Sequence, residues 1–417
     1  MLRPLSCLAL GSSLAAAGLA ACAPSSLGDD EAIGSSEQAI TDVTHSAVER
    51  QSIGNCWIYA QASWIESMAL SASPGEELDS SQTYWTYWHW FDQVTGSFRP
   101  SEIQTGGFHF TADQIVLDRG IMREGDFVPE DTAGEMSDRQ KSALARINQA
   151  LSAGEFENAD GLKVRQIFDE AWELSPEVRA QLDKAFGEDG EATLRQGASV
   201  SGTDIIDPDT VAVRFTERKS GQTSVRNATL VDAIESWNEV SYPFDSAGRR
   251  GFLRRVQQAL HDRQPVIITW DVDFNALENG EGERQGSFNL QTLSESGAPG
   301  HQGGHMTVLE DYAAETEQFG LLAAGVTLDP SNSTDAAKLA AALLDSTRIK
   351  LLRIKNSWGS ERPDREFAPG FPGYHDLWMD YLNGPIRYCP DAEEPKSDEN
   401  CTGETVPLRE VLLPPGY

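Results

Sequence analysis

Positive charge is scarce in this chain of 417 residues: Lys and Arg number 33 against 65 Asp and Glu, a net charge of −32. Such a balance offers no basic footprint for a phosphate backbone and argues against nucleic acid as a partner. No unit recurs at a fixed period, so a repeat architecture is excluded. There is no His-Glu-x-x-His pattern, and Gly280–Gly286 has no phosphate-loop spacing, so neither a zinc-peptidase helix nor a nucleotide cradle is indicated. The apolar run from Leu5 to Ala21 is too short and badly flanked to span a membrane. Cysteine is scarce too, at five residues. What remains is the composition of a globular protein, 39% hydrophobic and 24% charged, long enough for one large domain or two ordinary ones.

The N-terminus carries Arg3, the apolar run and then Cys22, the pattern of a signal peptide over residues 1–21. Leu19-Ala20-Ala21-Cys22 resembles the lipobox of bacterial lipoproteins, in which the cysteine becomes the lipidated first residue. The resemblance implies an exported protein held on the cell envelope through lipid on Cys22. Because Asp is absent at position 23, the outer membrane is favoured. Residues 22–42 then read as a polar tether. Export implies an oxidising compartment. Cys389 and Cys401 enclose a short acidic loop suited to a local disulfide, the alternatives being two inert thiols or a weak metal site. Cys7 lies in the signal, which leaves Cys56 as an unpaired thiol that needs a reason.

The surroundings of Cys56 supply one. In Gln51-Ser52-Ile53-Gly54-Asn55-Cys56-Trp57 the cysteine precedes apolar residues at helical spacing, Trp57, Ala60, Trp64, Ile65 and Met68. Asn55 is a good N-cap, so Cys56 is expected in the first turn, where backbone N–H groups and the helix dipole favour a thiolate. A small buried hydrophobe at the start of a core helix is the bland alternative. Two distant segments weigh against it. Gly303-Gly304-His305 enters an apolar strand, and Lys355-Asn356-Ser357-Trp358-Gly359 follows the strand-like Ile349–Ile354. A nucleophilic thiol needs a base, and the base needs a group to orient it. Cys56, His305 and Asn356 provide these parts.

Gly-Asn-Cys-Trp, the Gly-Gly-His strand and Asn-Ser-Trp-Gly together resemble the papain family of cysteine peptidases. More of the chain is similar to the bleomycin hydrolase and aminopeptidase C branch: Leu78–Tyr84 with Tyr87-Trp88, Gly106-Gly107 with Gly120-Ile121-Met122 and Pro129, and Val256–Val272. The resemblance covers about half the chain. It implies an α+β, papain-like two-lobe fold with Cys56 as nucleophile, His305 as base and acid, Asn356 orienting His305, and Trp358 shielding that hydrogen bond. Gln51 would join the Cys56 N–H in an oxyanion hole, and Gly106 and Gly107 would bind the substrate backbone. Gln51 lies five positions before Cys56, where the family has six. Either a shorter loop still lets it reach, or the donor is missing, at roughly 10²–10³ in rate. No metal or organic cofactor is required.

Spacing sets the expected organisation. Cys56 and His305 are 249 residues apart, against about 130–150 in papain-like enzymes. The expected parts are a signal peptide (1–21), a tether (22–42), a helical lobe with Cys56 (43–136), a mainly helical insertion (137–250), a β-rich lobe with His305 and Asn356 (251–388) and a C-terminal tail (389–417). His301 is the rival base. His89, His109, His261 and His375 read as ordinary surface or partly buried histidines. The aromatic run Tyr84–Phe91 reads as core packing rather than a carbohydrate platform. The function expected is hydrolysis of peptide bonds in a peptide or protein substrate. An inactive papain-fold binding module and a transglutaminase-like acyltransferase are the alternatives. Oligomeric state is open.

Overall fold

The computed structural model describes residues 43–389, 401 and 403–417. The signal peptide, Cys22 and the whole of the tether lie outside these residues, as does the acidic run 391–400. The first part is helical: α1 (Cys56–Ala72), α2 (Gln82–Thr95), α3 (His109–Arg119), the single turn α4 (Glu124–Phe127), α5 (Arg139–Ser152), α6 (Gly161–Ala171) and α7 (Pro176–Phe186). A hairpin of β1 (Ala212–Lys219) and β2 (Gln222–Thr229) and the short α8 (Leu230–Ser236) lead on to β3 (Asn238–Ser241), α9 (Ser246–His261), β4 (Val266–Asp273) and β5 (Ser287–Phe288). Then follow α10 (Leu290–Ser296), β6 (Gln302–Thr316), β7 (Gly320–Leu322), α11 (Ser333–Ala342), β8 (Arg348–Lys355), β9 (Tyr374–Trp378), α12 (Met379–Asn383), β10 (Ile386–Tyr388), β11 (Gly403–Thr405) and β12 (Leu408–Leu413). Among the described residues no helix is long and apolar enough to cross a membrane.

The eight-stranded sheet runs β3-β12-β4-β6-β8-β9-β5, with β7 paired to β6. Its neighbours are antiparallel except β5 and β9. Two hydrophobic cores define two lobes, so the fold is α+β. One core joins α1 and α2 to the helices that follow; the other lies among α9, α12 and the sheet. The two faces of the sheet belong to different lobes. Met306 and Val308 on β6, Ile267 on β4 and Leu412 on β12 turn toward the helices. Alternation along each strand sends Leu309, Ile268 and Val411 into the other core.

Several elements fall elsewhere than their sequence suggests. Val256 to Leu260 are helical, on the apolar face of α9, and the strand before His305 begins only at Val266. Helices α5, α6 and α7 are not a separate appendage: Ile147, Phe168, Trp172, Leu182 and Phe186 share the core of α1 and α2. Tyr87 Oη donates to Asp169 Oδ1 at 2.8 Å across that junction. The α2 aromatics Tyr84, Trp85, Tyr87, Trp88, Trp90 and Phe91 are all buried, which makes them packing rather than a sugar platform. Residues 408–413, expected in a tail, form β12 inside the sheet between β3 and β4. Cys389 and Cys401 are joined by a disulfide whose Cα atoms are 4.2 Å apart.

Candidate active site

Cys56 is the first residue of α1 and is buried. Asn55 occupies the N-cap position, yet its side chain does not cap the helix. It is drawn away, its Nδ2 donating to Thr86 Oγ1 at 3.0 Å and to Gln140 Oε1 at 3.0 Å. Gln140, on α5, donates in turn to Thr83 Oγ1 and Tyr59 Oη. The N–H of Met306 and the first-turn N–H groups of Trp57 and Cys56 act to lower the thiol's pKa. Burial outweighs them and pushes the Cys56 thiol up to about 11. The expected pull toward thiolate is therefore present but overcome, because desolvation disfavours the charged form.

The Met306 contact places Cys56 beside β6, one residue after His305. His305 is 4% exposed and sits opposite Trp270 of β4. Its Nε2 donates to Asn356 Oδ1 at 2.8 Å. Burial lowers His305 to about 4, with the Arg365 guanidinium adding to the effect and the Asn356 hydrogen bond opposing it. The Trp358 ring stacks on the imidazole with centroids 4.8 Å apart and planes 19° from parallel. Arg365 lies over that indole at 4.8 Å. The rival His301 is exposed and stacks on Phe274.

Gln51 lies at the edge of this group. Its Oε1 accepts from Ser357 Oγ at 2.6 Å, and its backbone N–H donates to Ser357 O at 2.9 Å. One amide hydrogen of Nε2 goes to Ile53 O at 2.7 Å. An amide carries two hydrogens, so a second remains for another acceptor. The two predicted glycines differ. A Cβ at Gly107 would lie 2.5 Å from the Trp57 ring, whereas one at Gly106 would meet nothing within 4 Å. Trp57 Nε1 donates to Thr105 O at 3.0 Å, so the residue after the thiol holds the 105–107 segment against the start of α1.

Sequence reasoning missed two residues. Gln140 supports Asn55 from 85 positions away. His375, read as ordinary, is fully buried with its Nδ1 3.2 Å from Asn356 Nδ2. Two acidic groups also converge, His109 with Glu239 and Glu410, and Glu49 with Asp79 and Glu124. In each, burial and neighbouring carboxylates raise a member, Glu410 to about 7 and Glu124 to about 8, so bound protons relieve the repulsion.

No family model matches the chain, and no curated protein matches it. Among solved structures it is similar to pepw from Lactobacillus rhamnosis, with 10% identity and a TM-score of 0.41, over 90% of this chain and 81% of that one. Xylellain, a cysteine protease from Xylella fastidiosa, has 12% identity and a TM-score of 0.35, over 90% and 86%. The bromelain protease from Ananas comosus has 12% identity and a TM-score of 0.29, over 89% and 94%.

Proposed function

We propose that this chain is a papain-like cysteine peptidase in which Cys56, His305 and Asn356 act together. The observation that carries the reading is the arrangement at β6: a buried His305 oriented by Asn356 under Trp358, with the Cys56 thiol against the next backbone N–H. The Cys56 sulfur attacks a peptide carbonyl carbon and passes its proton to Nδ1 of His305. The oxyanion is held by the Cys56 N–H and the second amide hydrogen of Gln51. The C–N bond then breaks as His305 protonates the leaving amine. Water, deprotonated by His305, then attacks the thioester carbon; the C–S bond breaks, the acid leaves, and His305 returns its proton to the Cys56 sulfur. In the resting pair both groups are neutral, because burial raises the thiol and lowers the imidazole. Proton transfer therefore accompanies attack.

Within this reading, Gly106 and Gly107 line the substrate path. Membership of the bleomycin hydrolase and aminopeptidase C branch is part of the proposal, on the sequence motifs quoted above. So is lipid anchoring at Cys22 on the envelope, which incorporation of labelled fatty acid into wild type and Cys22→Ser would check. The test of activity is turnover of peptide libraries with free and blocked N-termini, with Cys56→Ala and His305→Ala as controls. Cleavage lost in both variants supports the peptidase. One observation favours a second reading, a binding module: the thiol is buried, and burial disfavours its thiolate. Peptide retained without cleavage would select it, and amine incorporation in place of cleavage would select an acyltransferase.

A further inference from the structure

Asn356 uses both ends of its amide. Oδ1 accepts from His305 Nε2 at 2.8 Å and from the Ser357 N–H at 2.8 Å, while Nδ2 stands 3.2 Å from His375 Nδ1. An amide NH₂ only donates, so His375 Nδ1 must be bare and the ring proton must sit on Nε2. Sheet register brings this about: His375 lies opposite Ile354 on β8, and the Asn356 N–H donates to Gly373 O at 3.1 Å. The ring is walled by Trp358, Phe367 and Phe288 at centroid distances of 5.3, 5.4 and 5.9 Å. Its Nε2 meets no partner among the described residues, so Asn356 is its one polar contact there. Burial first, then the positive charges of Arg365 and Arg362, together with His305 whenever that ring is protonated, lowers His375 to about 3, which keeps the acceptor bare at neutral pH.

We infer that His375 is a positioning residue: by presenting a bare Nδ1 to Asn356 it fixes which end of that amide faces His305, and so fixes the tautomer of His305. Turned over, the amide would set its oxygen against the His375 lone pair and its NH₂ against both the His305 Nε2–H and the Ser357 N–H. In the orientation observed, Oδ1 takes the Nε2 hydrogen. Nδ1 of His305 is then left bare, the nitrogen that receives the Cys56 proton in the mechanism above. The inference rests on that mechanism for its meaning but not for its test.

Nitrogen-15 NMR of histidine-labelled full-length chain at pH 7 reads the tautomers directly and needs no turnover. The result expected is a proton on Nε2 and a bare Nδ1 in both His375 and His305. A His375 with its proton on Nδ1 overturns the inference. Two variants then separate positioning from packing. His375→Phe keeps a ring without the acceptor, and His375→Asn brings an amide oxygen near the place of Nδ1. Positioning predicts that Phe lowers kcat about 10- to 100-fold with KM within about twofold, while Asn recovers part of the loss. Packing alone predicts the opposite order, and that result also overturns it. Should the Phe variant fail to fold, the His305 tautomer in the Asn variant decides: Nε2–H retained supports the inference, a mixture refutes it. A wild type inert toward peptides defeats the peptidase reading and leaves the tautomer result standing.

Discussion

Adding one methyl group at Gly107 should cost stability, while the same change at Gly106 should cost only activity. The ideal Cβ of residue 107 lies 2.5, 2.7 and 2.9 Å from Cε2, Cζ2 and Cδ2 of Trp57. Carbon atoms rest about 3.5–4.0 Å apart, so ring and methyl must separate by about 1 Å. Trp57 cannot easily yield: it is 1% exposed, edges onto the His89 ring at 4.7 Å, and holds Thr105 O through Nε1. The 105–107 segment must move instead and give up that hydrogen bond. Overpacking costs about 1–3 kcal/mol and the lost bond about 1 kcal/mol, so Gly107→Ala is expected to lose about 2–4 kcal/mol. At Gly106 no atom lies within 4 Å, and Ala there should stay within about 0.5 kcal/mol of wild type. Under the proposed function its methyl would stand where a substrate backbone approaches, lowering kcat/KM. Urea unfolding at matched m-values gives the stabilities, and peptide turnover gives the activities. Equal stabilities for Gly107→Ala and wild type would refute the packing argument. Full kcat/KM in Gly106→Ala would remove the glycine pair from substrate binding.

The raised thiol and lowered imidazole make the resting Cys56 pair neutral; its iodoacetamide rate should therefore climb about tenfold per pH unit from about pH 6 to 9, and a plateau across that range would show an ion pair instead. His261, bonded through Nε2 to Tyr312 Oη at 2.6 Å, is lowered by burial to about 4. Below the unfolded value of about 6.5 the unfolded chain takes a proton that the native ring refuses, so stability contributed by the neutral ring is full above that pH and is lost as pH falls toward 4. Relative to His261→Gln, wild type should lose ground in urea unfolding between pH 7 and 4.5; a constant difference would contradict this. Arg353 and Asp376 form a buried bidentate pair at 2.7 and 2.9 Å. Asp376→Asn should cost about 3–5 kcal/mol in the same assay, and a loss below about 1 kcal/mol would show that water reaches the freed guanidinium.

The site was legible where it is written in short segments. Cys56 at a helix start, His305 in an apolar strand and Asn356 just past another strand are local patterns, and each stands where its segment indicated. The N-cap role of Asn55 failed because two buried hydrogen-bond partners, Thr86 and Gln140, compete with its own helix for the side chain, and pairing across 85 residues leaves no local trace. His375 escaped for a similar reason. Its meeting with Asn356 comes from the register of β8 on β9, and all five residues of β9 are buried, so no alternation marks its face. Helix α7 was readable but unread: Ser175 caps it, Pro176 begins it and Gly187 ends it. Strand β12 was hidden by its shortness and by the prolines on either side, Pro407 and Pro414.

The bond from Asn55 to Gln140 has a bearing on when the chain can act as well as how. During synthesis the proposed nucleophile is made before the other parts of the site, and the residue that steadies its helix start emerges 85 positions later. The proposed base follows at 305 and its orienting amide at 356. Strand β12, which pairs with β4 beside the histidine strand, is made later still. Under the proposed function, such a thiol peptidase would stay latent until these distant segments have been made and have folded. Its order of assembly would then restrain premature proteolysis.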